Sequence, residues 1–113
     1  MYKLAVENVV EVPVKFTLKS GKVNKAFAFT LTAKRLPQDE ITEAFKAVEF
    51  NFKAFLEATS VVTDWSGQRL VLDDAGEPVP FSADAFSFLL NVTGVAQAIY
   101  VAYAKECGAK EKN

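Results

Sequence analysis

The chain has no histidine, one cysteine and one tryptophan. It has no excess of either charge, since thirteen basic side chains stand against fourteen acidic ones in 113 residues, for a net charge of −1. Each shortage excludes a class of chemistry. Without imidazole there is no side chain poised to exchange protons near neutrality, no ring nitrogen for a metal, and no Ser-His or Cys-His nucleophile pair. A lone Cys107 forms neither an internal disulfide nor a zinc cluster, and the missing disulfide framework fits a reducing compartment. Cys107 itself reads as a small apolar side chain near a helix end. The balanced charge provides no pull toward nucleic acid or an anionic membrane, so neither is expected as a partner. The opening residues, Met1-Tyr2-Lys3-Leu4-Ala5-Val6-Glu7-Asn8, lack the long apolar core of a signal peptide, so secretion is not expected.

What is present is core-forming material. Half the residues are hydrophobic, a quarter are charged and ten are phenylalanine, which is the composition of a folded chain. The length suits one domain, placed here at 1–107, with 108–113 as a charged, disordered tail.

The expected fold class is α+β. From Val10 to Leu18 the apolar side chains fall on even positions, the period of a half-buried strand. Pro13 lies on its solvent face and implies an edge strand or a bulge. After the Ser20-Gly21-Lys22 turn, Phe27, Phe29, Leu31 and Ala33 alternate in the same way, completing an antiparallel hairpin. Asp39 is a plausible N-cap for one long amphipathic helix running to about Ala58, whose stripe is Ile41, Phe45, Val48, Phe52, Phe55 and Leu56. One short strand or hairpin arm is expected around Gln68 to Leu72, while Pro78 and Pro80 preclude a central strand beyond it. Ser82 caps a helix whose Phe86, Leu89 and Leu90 face inward, and Gly94 separates it from a last helix, Val95 to Cys107.

Two features exceed what one small core requires. On the long helix Phe50 projects away from the main stripe, beside Ala47 and Ala54, a second and smaller strip to be covered either by the C-terminal helices or by another chain. The last helix has an inward stripe of Ala96, Ile99, Tyr100, Tyr103 and Cys107. Val95, Ala98, Val101 and Ala102, with Ala104, fill most of its remaining circumference. A helix apolar all round must be covered all round, and thirteen residues are too few to span a bilayer, so the cover is protein. These residues (Ala47, Phe50, Ala54, Val95, Ala98, Val101 and Ala102) are the candidate surface for a partner or for self-association.

Catalytic candidates do not emerge. Asp73-Asp74-Ala75-Gly76 has turn composition, without the alternating oxygen ligands of a calcium loop. Trp65 in a connector is most simply an anchor for that loop. No glycine cluster cradles phosphate, Lys34-Arg35 is too small a basic patch for nucleic acid, and no cofactor, metal or enzyme activity is expected.

The order of motifs in the second half is distinctive. Asp64-Trp65-Ser66-Gly67 precedes Val71-Leu72-Asp73-Asp74-Ala75-Gly76-Glu77-Pro78-Val79-Pro80-Phe81-Ser82. Then come an apolar helix with Leu89-Leu90 and a last helix with Ala98-Ile99-Tyr100-Val101-Ala102-Tyr103. With the strand-then-helix opening at Phe27 to Arg35, this resembles the tail assembly chaperones of long-tailed bacteriophages over residues 10 to 105. The resemblance implies a non-enzymatic protein of the host bacterial cytoplasm, phage- or prophage-encoded. Such a protein keeps the tape measure protein soluble, helps recruit the major tail protein and is absent from the mature virion. It also implies a longer frameshifted form in many members. Alternatives are a structural tail or tail-completion protein retained in the virion, and a small-ligand-binding domain or unrecognised enzyme.

Overall fold

A computed structural model describes residues 2–108; apart from Gly108, the charged tail lies outside them. The architecture is mixed α+β, a three-stranded antiparallel sheet with four helices.

The alternation around Val10 to Leu18 belongs to β1 (Val9–Ser20), and the second run to β2 (Val23–Lys34). They pair antiparallel in one register, from Val9 opposite Lys34 to Ser20 opposite Val23. Gly21 opens the two-residue turn at φ 63°, the left-handed conformation that such a hairpin requires and glycine adopts without steric cost. The Arg35 N–H donates to the Asn8 carbonyl at 2.7 Å. In this register the even-numbered residues of β1 therefore direct their backbone groups at β2. Pro13 is odd-numbered, so its missing N–H falls on the outer edge and costs the ladder nothing. β1 is indeed an edge strand, in the order β1-β2-β3.

The third strand is not at Gln68 to Leu72. It is β3 (Val62–Ser66), antiparallel to β2. The segment around Gln68 to Leu72 forms a hairpin arm only at its end, where Leu72 bridges Pro78 antiparallel and the Val79 N–H donates to the Val71 carbonyl at 3.2 Å; the rest wraps around the buried Gln68 side chain. Gln68 Nε2 donates to the carbonyls of Val71 and Val79 at 2.9 and 3.2 Å. Its Oε1 accepts from the amides of Leu70 and Val71 at 3.1 and 2.8 Å. One side chain thus takes the bonds that the Leu70 and Val71 amides would have given a neighbouring strand. Trp65 is the anchor its position suggests: it is buried, Nε1 donates to the Val79 carbonyl at 3.1 Å, and Phe81 meets its ring edge-on at 5.3 Å.

The single long helix is two, α1 (Gln38–Ala47) and α2 (Phe52–Thr59). Pro37 precedes the first turn, so Asp39 is not the N-cap. It lies within that turn beside Glu40, where a carboxylate suits the positive helix end. The break has a local cause: the Asn51 side chain accepts from the Ala54 N–H at 2.9 Å and so starts a new helix. α3 (Ala83–Leu90) is capped by Ser82, which accepts from the Ala85 N–H at 3.0 Å. α4 (Val95–Cys107) follows Gly94.

The helices meet the sheet in one core. Val12, Val14, Phe29 and Leu31 from the hairpin join Phe55, Leu56, Phe86, Leu89, Leu90, Val95, Ile99 and Tyr103. Two polar contacts fasten the end of α4 to the end of β2: the Tyr103 hydroxyl donates to the Lys34 carbonyl at 2.6 Å, and Arg35 Nη1 donates to the Cys107 carbonyl at 2.8 Å. A cation at a helix C-terminus also meets the negative end of the backbone dipoles.

Burial, with the Cys107 thiol beside it, raises the Tyr103 pKa above its ordinary 10.0. A phenol whose pKa is raised by folding stabilises the fold while neutral. That contribution is complete below about pH 10 and is lost as pH rises toward the folded value. Tyr103→Phe is expected to cost about 1 kcal/mol at neutral pH and to flatten the fall in unfolding midpoint above about pH 10. Thermal melts followed by circular dichroism check this, and an equally steep alkaline fall in both proteins would contradict it.

Candidate interaction surfaces

The expected partner surface divides in two when placed on the fold, and one of its residues leaves it. Val95 leaves it altogether, being 1% exposed in the core. Its position at the first turn of α4 directs it inward with Ile99 and Tyr103, because residues four and eight apart share a helix face. The all-round cover expected for α4 is likewise not met within one chain, since Val101 is 56% exposed.

The first surface is the corner between α1 and α2. Ala47 ends α1, Ala54 belongs to the first turn of α2, and no single strip joins them to Phe50 because the helix between them is broken. Glu49 and Phe50 instead adopt φ 55° and 62°, a left-handed conformation that costs side-chain-bearing residues energy. The Phe50 N–H donates back to the Phe45 carbonyl at 2.8 Å, closing the corner. The Phe50 ring is 69% exposed. Its inner face stacks on Phe45 at 6.3 Å, and Phe45 stacks on Phe55 at 4.1 Å and meets Tyr100 of α4 edge-on at 4.8 Å. A rigid aromatic cluster therefore holds a phenyl ring out toward solvent.

The second surface is a groove of about 690 Å³ between α4 and β1. Ala98, Val101 and Ala102 line its helical wall and Pro13 its strand wall, with Lys15, Gln97, Lys105 and Glu106 around them. The small side chains at 98 and 102 open the space, and Val101 stands in it. The register explains the strand wall, since Pro13 and Lys15 occupy the odd, outward positions of β1.

The third surface escaped the reading of sequence. At the hairpin turn a groove of about 360 Å³ has Leu18, Phe27, Leu70 and Leu72 as its apolar floor and Lys19, Lys25 and Arg69 at its rim. A charge signal was available: between Glu11 and Asp39 the chain carries Lys15, Lys19, Lys22, Lys25, Lys34 and Arg35 and not one acidic residue. The overall balance conceals a basic hairpin on an otherwise acidic chain. Phe88, 68% exposed on α3, was also missed, although its position two residues after the inward Phe86 places it on the opposite side of the helix.

The acidic loop behaves as a turn. Asp73 Oδ1 accepts from the amides of Ala75 and Glu77, both at 2.9 Å, an Asx arrangement that holds the reversal. Among the described residues no single helix is long and apolar enough to cross a membrane.

The corner makes its own stability prediction. Glu49→Gly removes left-handed strain and is expected to gain about 1 kcal/mol, whereas Asn51→Ala is expected to cost about 1 kcal/mol through the lost cap. Urea unfolding checks both, and an unchanged midpoint for Asn51→Ala would contradict the account of the break. Comparison with protein-family models, with curated proteins and with solved structures finds no match to this chain.

Proposed function

We propose that this chain is a tail assembly chaperone of a long-tailed phage or prophage. It binds the tape measure protein without catalysis in the host cytoplasm, helps recruit the major tail protein, and self-associates. The observation that carries the reading is the groove between α4 and β1, whose wall of Ala98, Val101, Ala102 and Pro13 suits a helix laid along it. A chaperone of a long helical client needs such a surface. It must be apolar enough to cover the client's stripe and shallow enough to release it. Copies side by side on one client raise each other's effective concentration, so each contact can be weak. The motif order from Asp64 to Phe81 and the apolar last helix supply the family resemblance. The fold places Trp65 and Phe81 in ring contact, so the two halves of that motif form one local unit.

Co-expression with a tape measure fragment is expected to raise the fragment's soluble yield several-fold. Val101→Asp with Ala98→Asp is expected to abolish the gain, because a charge in an apolar groove loses its hydration when a helix docks. A fragment equally insoluble with and without the protein would overturn the proposal. Detection of the chain in purified virions would favour the structural tail protein instead.

A further inference from the structure

The hairpin extends past the third strand. Pairing between β2 and β3 covers Thr30 to Ala33, so from Val23 to Phe29 only β1 lies beside β2 among the described residues. The odd-numbered residues of β2 direct their backbone groups at β1, and the even-numbered ones direct theirs the other way. The N–H and C=O groups of Asn24, Ala26 and Ala28 therefore face an open edge, and all three residues are exposed.

Phe27, between the two alanines, belongs to the hairpin-turn groove. That recess of about 360 Å³ has Leu18, Phe27, Leu70 and Leu72 as its floor and Lys19, Lys25 and Arg69 at its rim. None of these three cations is ion-paired among the described residues. Asp73 and Asp74 follow Leu72 without lining the recess, and the Asp73 carboxylate accepts from the Ala75 and Glu77 amides of its own turn. We propose that this edge and this recess together bind an extended acidic segment of another protein. The segment adds a strand to β2 alongside Asn24 to Ala28, seats one large apolar side chain in the recess beside Phe27, and brings carboxylates to the cationic rim.

In strand addition the main chain supplies affinity and a pocket for alternate side chains supplies specificity. Residues of the added strand that bond to Asn24, Ala26 and Ala28 turn their side chains to the outer face of the sheet, and the residues between them aim at the recess. A carboxylate two residues from the anchor shares its face, as Lys25 shares that of Phe27. Charge selects an acidic partner over a second copy: between Glu11 and Asp39 the hairpin has six cations and no acid, so two hairpins repel edge to edge. Nucleic acid fits less well, because the floor is mostly aliphatic and its one ring is half-buried, whereas bases stack on open aromatic faces. The β1 edge is interrupted by Pro13, but no proline lies between Val23 and Phe29.

The site shares no lining residue with the groove between α4 and β1, so its test is separate from that of the chaperone reading. The probe is a fluorescein-labelled, end-blocked peptide, Thr-Glu-Thr-Phe-Thr-Glu-Thr, titrated with the full chain and followed by anisotropy. Saturable binding is expected, weakening about tenfold between about 0.05 and about 0.5 M salt as exposed charges are screened. Lysine in place of both glutamates is expected to abolish it, and Lys25→Gln with Arg69→Gln to weaken it at least about tenfold. Ala26→Pro removes an outward N–H, as Pro13 does on β1, and is expected to weaken binding at least about tenfold with the fold retained.

Methylated peptides decide the matter on the unaltered protein, even if Ala26→Pro does not fold. N-methylation of the two threonines flanking the phenylalanine blocks amides directed at β2 and is expected to abolish binding. N-methylation of the phenylalanine, whose amide points away, is expected to change it less than about threefold. No saturable binding up to about 1 mM, equal binding of the lysine peptide, or indifference to the site of methylation would each overturn the proposal. So would tighter binding of a single-stranded oligonucleotide, or a fall in anisotropy at high chain concentration, which would put a second copy in the recess.

Discussion

The last helix is docked across the hairpin, and the rest of the fold depends on that contact. β1 and β2 alone would be a two-stranded ribbon with a bare apolar face, which water does not tolerate as a stable structure. α4 covers that face with Val95, Ile99 and Tyr103, all at most 1% exposed. Its end is secured by polar contacts to Lys34 and Arg35, where β2 gives way to the helices. The arrangement has a cost, because Arg35 Nε is buried without a partner among the described residues. The remaining helices reach the core partly through α4, since Phe45 of α1 and Phe55 of α2 both lie edge-on to Tyr100.

Using α4 this way determines what stays outside. A helix laid on a sheet offers it about half its circumference, so a helix apolar on most sides keeps an open wall. Val101 is on that wall, while Phe50 and Phe88 are exposed for separate local reasons: the corner turns one outward, and the helical phase of α3 turns out the other. A domain of this size has too little chain to cover all three. The unsatisfied apolar area and the segregated charge are therefore properties of the same economy of length.

Much of this was legible before the structure. The hairpin was, because a two-residue period with a half-buried face is a strong signal, and the odd placement of Pro13 already implied a free edge or a bulge. The divided helix was not, because the stripe from Ile41 to Leu56 keeps its phase through the corner; both helices pack on the same core. The signal that did exist was Asn51, a capping residue in the middle of an apolar stripe. β3 was hidden because its pairing with β2 is long-range, and Gln68 because nothing local marks a glutamine that will bond to four backbone groups. Of the candidate surface, Val101 and Phe50 are exposed. Val95 was misplaced because an apolar circumference does not say which side faces the sheet.

Pro13 has one more consequence. A strand of twelve residues on an open edge is a template on which foreign chains can crystallise edge to edge. Here the outward row of donors is interrupted at its middle, and Lys15 and Lys19 put charge alongside. Lateral growth on the β1 edge is thereby disfavoured. Edge-to-edge pairing of copies through β1 is thus a poorer option than contact through side-chain surfaces.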